Sequence, residues 1–188
     1  FSVTGCPDDL RQAFIDISAA PGAGAGYPLP SMHVTCDDEM VTVKSNGIPH
    51  YTFVRMTPHD LVEEDNVFEF PLYPEVADQP TSPLRNNGNP LLGYFGTAIN
   101  GIPFFGPTEA TEGPPGTVPY GDPVFNGLMD GCNGHAAPHH YHSFNEQCLV
   151  PEGLVATPWT NDYVAGKEES PRLAFAADGF PVYGSWEC

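Results

Sequence analysis

Glycine and proline fill 42 of the 188 positions, 20 and 22 respectively. Proline lacks an amide hydrogen and glycine loses the most backbone freedom on ordering, so long helices find few uninterrupted stretches in such a chain. Between these breakers stand short runs rich in Val, Tyr, Phe and Thr, which suit strands bounded by turns. The length admits one domain with a sizeable core and leaves little for a second. The expected architecture is therefore mainly β. It is a single β-barrel or β-sandwich-like domain over residues 32–188, with long Pro/Gly-rich loops, behind a tethered N-terminal segment over residues 1–31.

The connector PGAGAGYPLP, residues 21–30, sets the leading segment apart, because no regular element can occupy it. Ahead of it, LRQAFIDISAA supports two readings. Leu10, Ala13, Phe14 and Ile17 make a helical face behind an Asp8 or Asp9 cap, whereas Ala13, Ile15, Ile17 and Ala19 alternate as in a strand. A short apolar strand on a tether can complete a neighbour's sheet, here with Phe14, Ile15 and Ile17 as the inserted side chains. Head-to-tail exchange of that kind does not close on itself and gives fibres.

From Met32 the pattern turns to strands, with HVTC and MVTVK joined across Asp37, Asp38 and Glu39 as a hairpin. One phrase recurs as NGIPHY (46–51), NGIPFF (100–105) and DGFPVY (178–183). Asn-Gly and Asp-Gly favour positive φ at a tight turn, and proline suits the first position of the strand that follows. The unequal spacing of the copies excludes a solenoid and fits a barrel or sandwich that reuses one corner. Residues 57–90 and 106–123 read as long proline-rich surface loops, with VFEFPLY as an edge strand inside the first. Neither loop holds an Asn-x-Ser/Thr sequon, so a glycan there would be O-linked.

Acidic residues outnumber basic ones 24 to 6, and the basic ones are scattered. Nucleic acid and anionic membranes are therefore poor partners. No apolar run approaches the roughly 18 residues that span a bilayer. With a start at Phe1 rather than methionine, this points to a processed chain, secreted to the extracellular space or the cell surface. The five cysteines lack C-x-x-C spacing, which favours disulfides over a zinc ribbon or a thioredoxin-type centre. Cys132 with Cys148 is the expected pair, closing a loop worth on the order of 3 kcal/mol in the chain-entropy model. Among Cys6, Cys36 and Cys188 the pairing stays open.

Four of the seven histidines lie between Cys132 and Cys148, in GHAAPHHYH. In a strand His140 and His142 point to one side and Tyr141 to the other, which makes a two-point start for a metal site. His135 and His139 are near enough to add a third ligand. Imidazole suits copper or zinc as the divalent metal, while Asp130 or Asp122 would turn the site towards calcium. The G-x-S-x-G, H-E-x-x-H and P-loop motifs are all missing, so no common hydrolase, zincin or nucleotide chemistry is indicated and no catalytic residue is nominated.

DGCNGHAAPHHYHSFNEQCL, preceded by GTAINGIPFFGP and followed by SPRLAFAADGFPVYG, resembles the YHYH domain family over an ordered set of motifs from about Val41 to Gly184. The Tyr-His-Tyr-His signature falls on His139, His140, Tyr141 and His142, with histidine in place of the first tyrosine. The resemblance implies a secreted or cell-surface domain and does not imply a reaction. Two functions follow from the residues. The first is an extracellular structural subunit that self-associates into a fibre or pilus-like homo-oligomer through its N-terminal segment. The alternative is a secreted metal-binding protein or metal-dependent enzyme that uses the histidine cluster.

Overall fold

The computed structural model describes residues 1–109, 111–112, 118–119, 121–151, 154 and 170–184. Cys188, left open in pairing, lies outside them. The chain is mainly β, as its glycine and proline content requires, and forms two mixed sheets, neither closed into a barrel.

The first sheet holds β1 (Ser2–Thr4), β2 (Met32–Cys36), β3 (Met40–Ser45) and β4 (Asn66–Pro71), paired in that order. β2 and β3 form the expected hairpin, and its turn is held by the Asp37 carboxylate, which accepts from the N–H groups of Glu39 and Met40 at 2.9 and 2.7 Å. β4 is the expected edge strand and carries Phe68 and Phe70 inwards. The alternation is regular, with Met32 and Val34 on β2 and Val41 and Val43 on β3 all fully buried.

The second sheet begins with β5 (Tyr94–Ala98) and β6 (Pro103–Phe105). A two-stranded ribbon, β7 (Thr111–Glu112) with β8 (Val118–Pro119), interrupts the sequence before β9 (Gly134–His135) and β10 (His140–Tyr141). β11 (Arg172–Ala176) and β12 (Pro181–Tyr183) complete the order β12-β11-β5-β6-β10-β9. All neighbours are antiparallel except β6 and β10. The Asn/Asp-Gly turns carry positive φ at Gly47, Gly101 and Gly179 (69°, 80° and 88°). The second and third launch strands at Pro103 and Pro181, as expected. The first does not, because Asn46 is tied to the connector: its side chain accepts from Ser31 N–H and donates to the Leu29 carbonyl. Ile48 then turns into a small apolar cluster with Ala23, Phe53, Leu61 and Ala136.

Both sheets contribute to one main core, and Phe70 of the first stacks on Phe175 of the second at 5.2 Å. The N-terminal segment packs into that same core. It contains a six-residue helix, α1 (Asp8–Ala13), then extended residues and a single 3₁₀ turn at Ile17–Ala19, so neither the full helix nor the full strand expected for residues 10–20 forms. Phe14, Ile15 and Ile17 are 4, 4 and 2% exposed, Phe14 stacks on Phe175, and Ile15 N–H bonds the Ile99 carbonyl. β1 pairs in parallel with β2, and Cys6 is bonded to Cys36. The Gly/Pro connector is also laid down on the domain, through Gly22 N–H to the His50 carbonyl and Phe53 N–H to the Ala23 carbonyl. The side chains expected to enter a neighbour's sheet thus sit inside their own molecule. Donating them to a neighbour would mean withdrawing three core residues and a disulfide-linked strand.

Candidate metal centre

The site is assembled from the tight pair β9–β10 and the chain that leaves β6. His135 and His140 are register partners across β9–β10, and directly opposed residues face the same side. His142, two residues beyond His140, returns to that side, while Tyr141 points the other way and is 1% exposed in the core. The Asn100 amide bonds the Tyr141 hydroxyl at 2.9 Å, so the anchor's polar end is satisfied. The parallel pairing of β10 with β6 brings the segment after Phe105 alongside, and with it Glu109.

Four donor atoms converge. Glu109 Oε1 lies 3.1, 3.1 and 2.8 Å from Nε2 of His135, His140 and His142. The Nε2 atoms of His135 and His142 each stand 3.0 Å from that of His140. The histidine side chains are 7, 4 and 0% exposed and that of Glu109 is 22%, so the carboxylate forms the solvent-facing edge. The Phe105 ring stacks on His140 at 3.8 Å and covers another side.

The protons of two of these rings are fixed by their neighbours. His140 Nδ1 is 2.6 Å from the Pro138 carbonyl oxygen, and His142 Nδ1 is 2.6 Å from that of Gly106. A carbonyl oxygen only accepts, so both Nδ1 atoms carry hydrogen and both Nε2 atoms present lone pairs to the centre. An Nε2–H would then require imidazolium, and burial lowers the His140 pKa, which opposes that form. Lone pairs and a carboxylate this close could hold a metal ion among them, and bracing of the outer ring nitrogens is how metal-binding imidazoles are aimed.

Of the residues expected at a metal, His135, His140 and His142 meet, and three do not join them. His139 faces away from its neighbour His140, beside Phe53 and with the Tyr51 hydroxyl 3.5 Å from Nε2. Asp130 turns inwards, its Oδ1 accepting from the N–H groups of Cys132 and Gly134 at 2.9 and 3.0 Å, so it shapes the turn before β9. Asp122 accepts from Phe125 N–H and is likewise no part of the cluster. Glu109 takes the fourth position. It lies in the stretch 106–123 that reads as a surface loop, one carboxylate among 24 acidic residues, and nothing local marks it.

The Cys132–Cys148 disulfide forms as expected and encloses all three histidines. Its far end is fastened twice. The Asn145 amide donates to the Gly131 carbonyl at 2.8 Å just before α2 (Glu146–Leu149), and His50 Nε2 lies 2.8 Å from the Cys148 carbonyl. His50 is therefore a core histidine bracing the loop, not a ligand.

Burial lowers the pKa of His50, and that of His139 to about 3, against an ordinary 6.5. Both are neutral in the fold and take up a proton on unfolding below about pH 6.5, so acid favours the unfolded chain. Their contribution is intact above that value. It is lost at up to about 1.4 kcal/mol per pH unit per histidine as pH falls towards the folded pKa. Urea unfolding of chelator-treated protein between pH 7.5 and 5 should show this slope, and His139→Gln should flatten it. Equal slopes would show that His139 is not held neutral.

These features define a mainly β protein with a three-histidine, one-carboxylate cluster whose histidines lie in a disulfide-closed loop. Residues 67–188 match the family model described as YHYH protein, and the chain belongs to that family. The match starts later than Val41, leaving β1 to β3 outside it, and contains Glu109 and all three clustered histidines. No curated protein and no solved structure matches the chain. Within the signature of this chain the roles divide: His140 and His142 face the centre, Tyr141 anchors the strand, and His139, at the first position, is a buried neighbour.

Proposed function

We propose that this chain is an exported protein that binds one divalent transition metal through His135, His140, His142 and Glu109. The observation carrying the reading is the convergence of three buried Nε2 atoms on one carboxylate oxygen, with two of the imidazoles already braced by carbonyls. Three imidazoles and one carboxylate suit zinc or copper, and manganese, iron or nickel less selectively. Calcium prefers six to eight oxygen ligands, and this centre offers a single carboxylate. The shared core of the two sheets supports a sandwich-like scaffold that holds the hairpin rigid. Export is supported by the two disulfides, which persist in oxidising compartments. Among the described residues no helix is long and apolar enough to cross a membrane.

The test is elemental analysis of purified protein, as isolated and after dialysis against zinc or copper, beside the His140→Ala/His142→Ala double variant. One equivalent of metal in the parent chain and none in the variant is expected. Equal content in both, or none in the parent after loading, would overturn the assignment.

A further inference from the structure

Among the three imidazoles of the centre, His135 alone lacks a partner for its outer nitrogen. His140 and His142 each have a carbonyl oxygen at 2.6 Å from Nδ1, whereas His135 Nδ1 is buried with no hydrogen-bond partner among the described residues. With Nε2 turned to the metal, that nitrogen must carry hydrogen, and a buried donor left without an acceptor is costly. A matching orphan lies nearby. Asp130 is 5% exposed, its Oδ1 is committed to the N–H groups of Cys132 and Gly134, and its Oδ2 is buried with no partner. The backbone holds the two residues together, since Asp130 and Gly134 exchange contacts through Asp130 N–H to the Gly134 carbonyl at 2.9 Å and Gly134 N–H to Oδ1. The Val54 N–H also faces the carboxyl.

We propose that Asp130 is the outer partner of His135: Oδ2 accepts the Nδ1–H of that imidazole through one bridging water, and so aims Nε2 at the metal. Asp130 is then a positioning residue and not the ligand its place in the sequence suggests. It also brings a second carboxylate into reach of a centre that otherwise holds one, which favours a divalent over a monovalent ion. The proposal rests on the metal-binding reading above and specifies how one ligand of that site is oriented.

Asp130→Asn tests it, because the amide oxygen can still accept from Cys132 and Gly134 while its NH₂ cannot accept from the bridging water. The metal-free variant should unfold at the parent midpoint. In cobalt(II) titrations its affinity should fall 10- to 100-fold, with a shifted visible absorption band. Asp122→Asn, which removes the same charge from an exposed turn, should bind as the parent does. Parent affinity and spectrum in Asp130→Asn would overturn the proposal. If that variant fails to fold, nitrogen-15 NMR of the zinc-loaded parent decides: His135 should show a protected Nδ1–H beside those of His140 and His142, and its absence would refute Asp130 as partner. A parent chain that binds neither cobalt nor zinc would instead refute the metal-binding reading itself.

Discussion

Adding zinc(II) to the metal-free protein at about 100 times its dissociation constant should stabilise the fold by about 2.7 kcal/mol. For a chain of 188 residues that corresponds to a rise in unfolding midpoint of roughly 5–11 °C, and a chelator should reverse it. The reason is specific to this arrangement. Without a cation, the Nε2 atoms of His135 and His142 each stand 3.0 Å from that of His140, and all three face a carboxylate oxygen. The unfolded chain suffers no such crowding, so the metal-free fold carries a penalty that the bound ion removes. His140→Ala/His142→Ala should show no zinc-dependent shift by differential scanning calorimetry. Glu109→Gln should show a smaller one, because the neutral amide keeps an oxygen donor and loses the charge. A parent chain whose midpoint ignores every divalent transition metal would contradict this account.

Selective loss of the Cys132–Cys148 bond should weaken metal binding by up to about 100-fold, whereas loss of Cys6–Cys36 should leave it unchanged. The asymmetry follows from what each bond encloses. The three histidines lie inside the Cys132–Cys148 loop, with 16 residues of separation, and ordering a free loop of that size costs on the order of 3 kcal/mol. At about 1.4 kcal/mol per tenfold, charging that cost to metal binding gives two decades. Parallel pairing with β6 and the buried Tyr141 still hold part of the loop, which makes this the upper figure. Cys6–Cys36 joins the turn between β1 and α1 to β2 and contributes to folding away from the cluster. The comparison uses Cys132→Ser/Cys148→Ser and Cys6→Ser/Cys36→Ser, each titrated with zinc against a competing indicator. Equal affinities in both variants would show that the bond does not preorganise the site.

Short-range features were legible in the sequence and long-range ones were not. The β2–β3 hairpin could be read because Asp37 closes the turn within three residues of itself. The same-side placement of His140 and His142 follows from the two-residue period of a strand alone. Glu109 could not be read, since it arrives through the parallel pairing of β10 with β6, a contact between segments more than thirty residues apart. The burial of Phe14, Ile15 and Ile17 in their own domain could not be read, because it requires Phe175 and Ile99 from the second sheet, which no local pattern reveals. Asp130, expected as a ligand, lies outside the cluster: the N–H groups of its own turn occupy one oxygen before a metal could.

The ribbon that follows Glu109 has a practical use. Glu109 N–H bonds the Gly121 carbonyl at 2.9 Å, pinching the excursion off at its base, and β7–β8 pairing repeats the closure further out. Length added between Glu112 and Val118 is therefore insulated from the carboxylate. A fluorophore or reporter peptide grafted there leaves the donor set in place and offers an optical test of metal occupancy in a protein that has only two tryptophans.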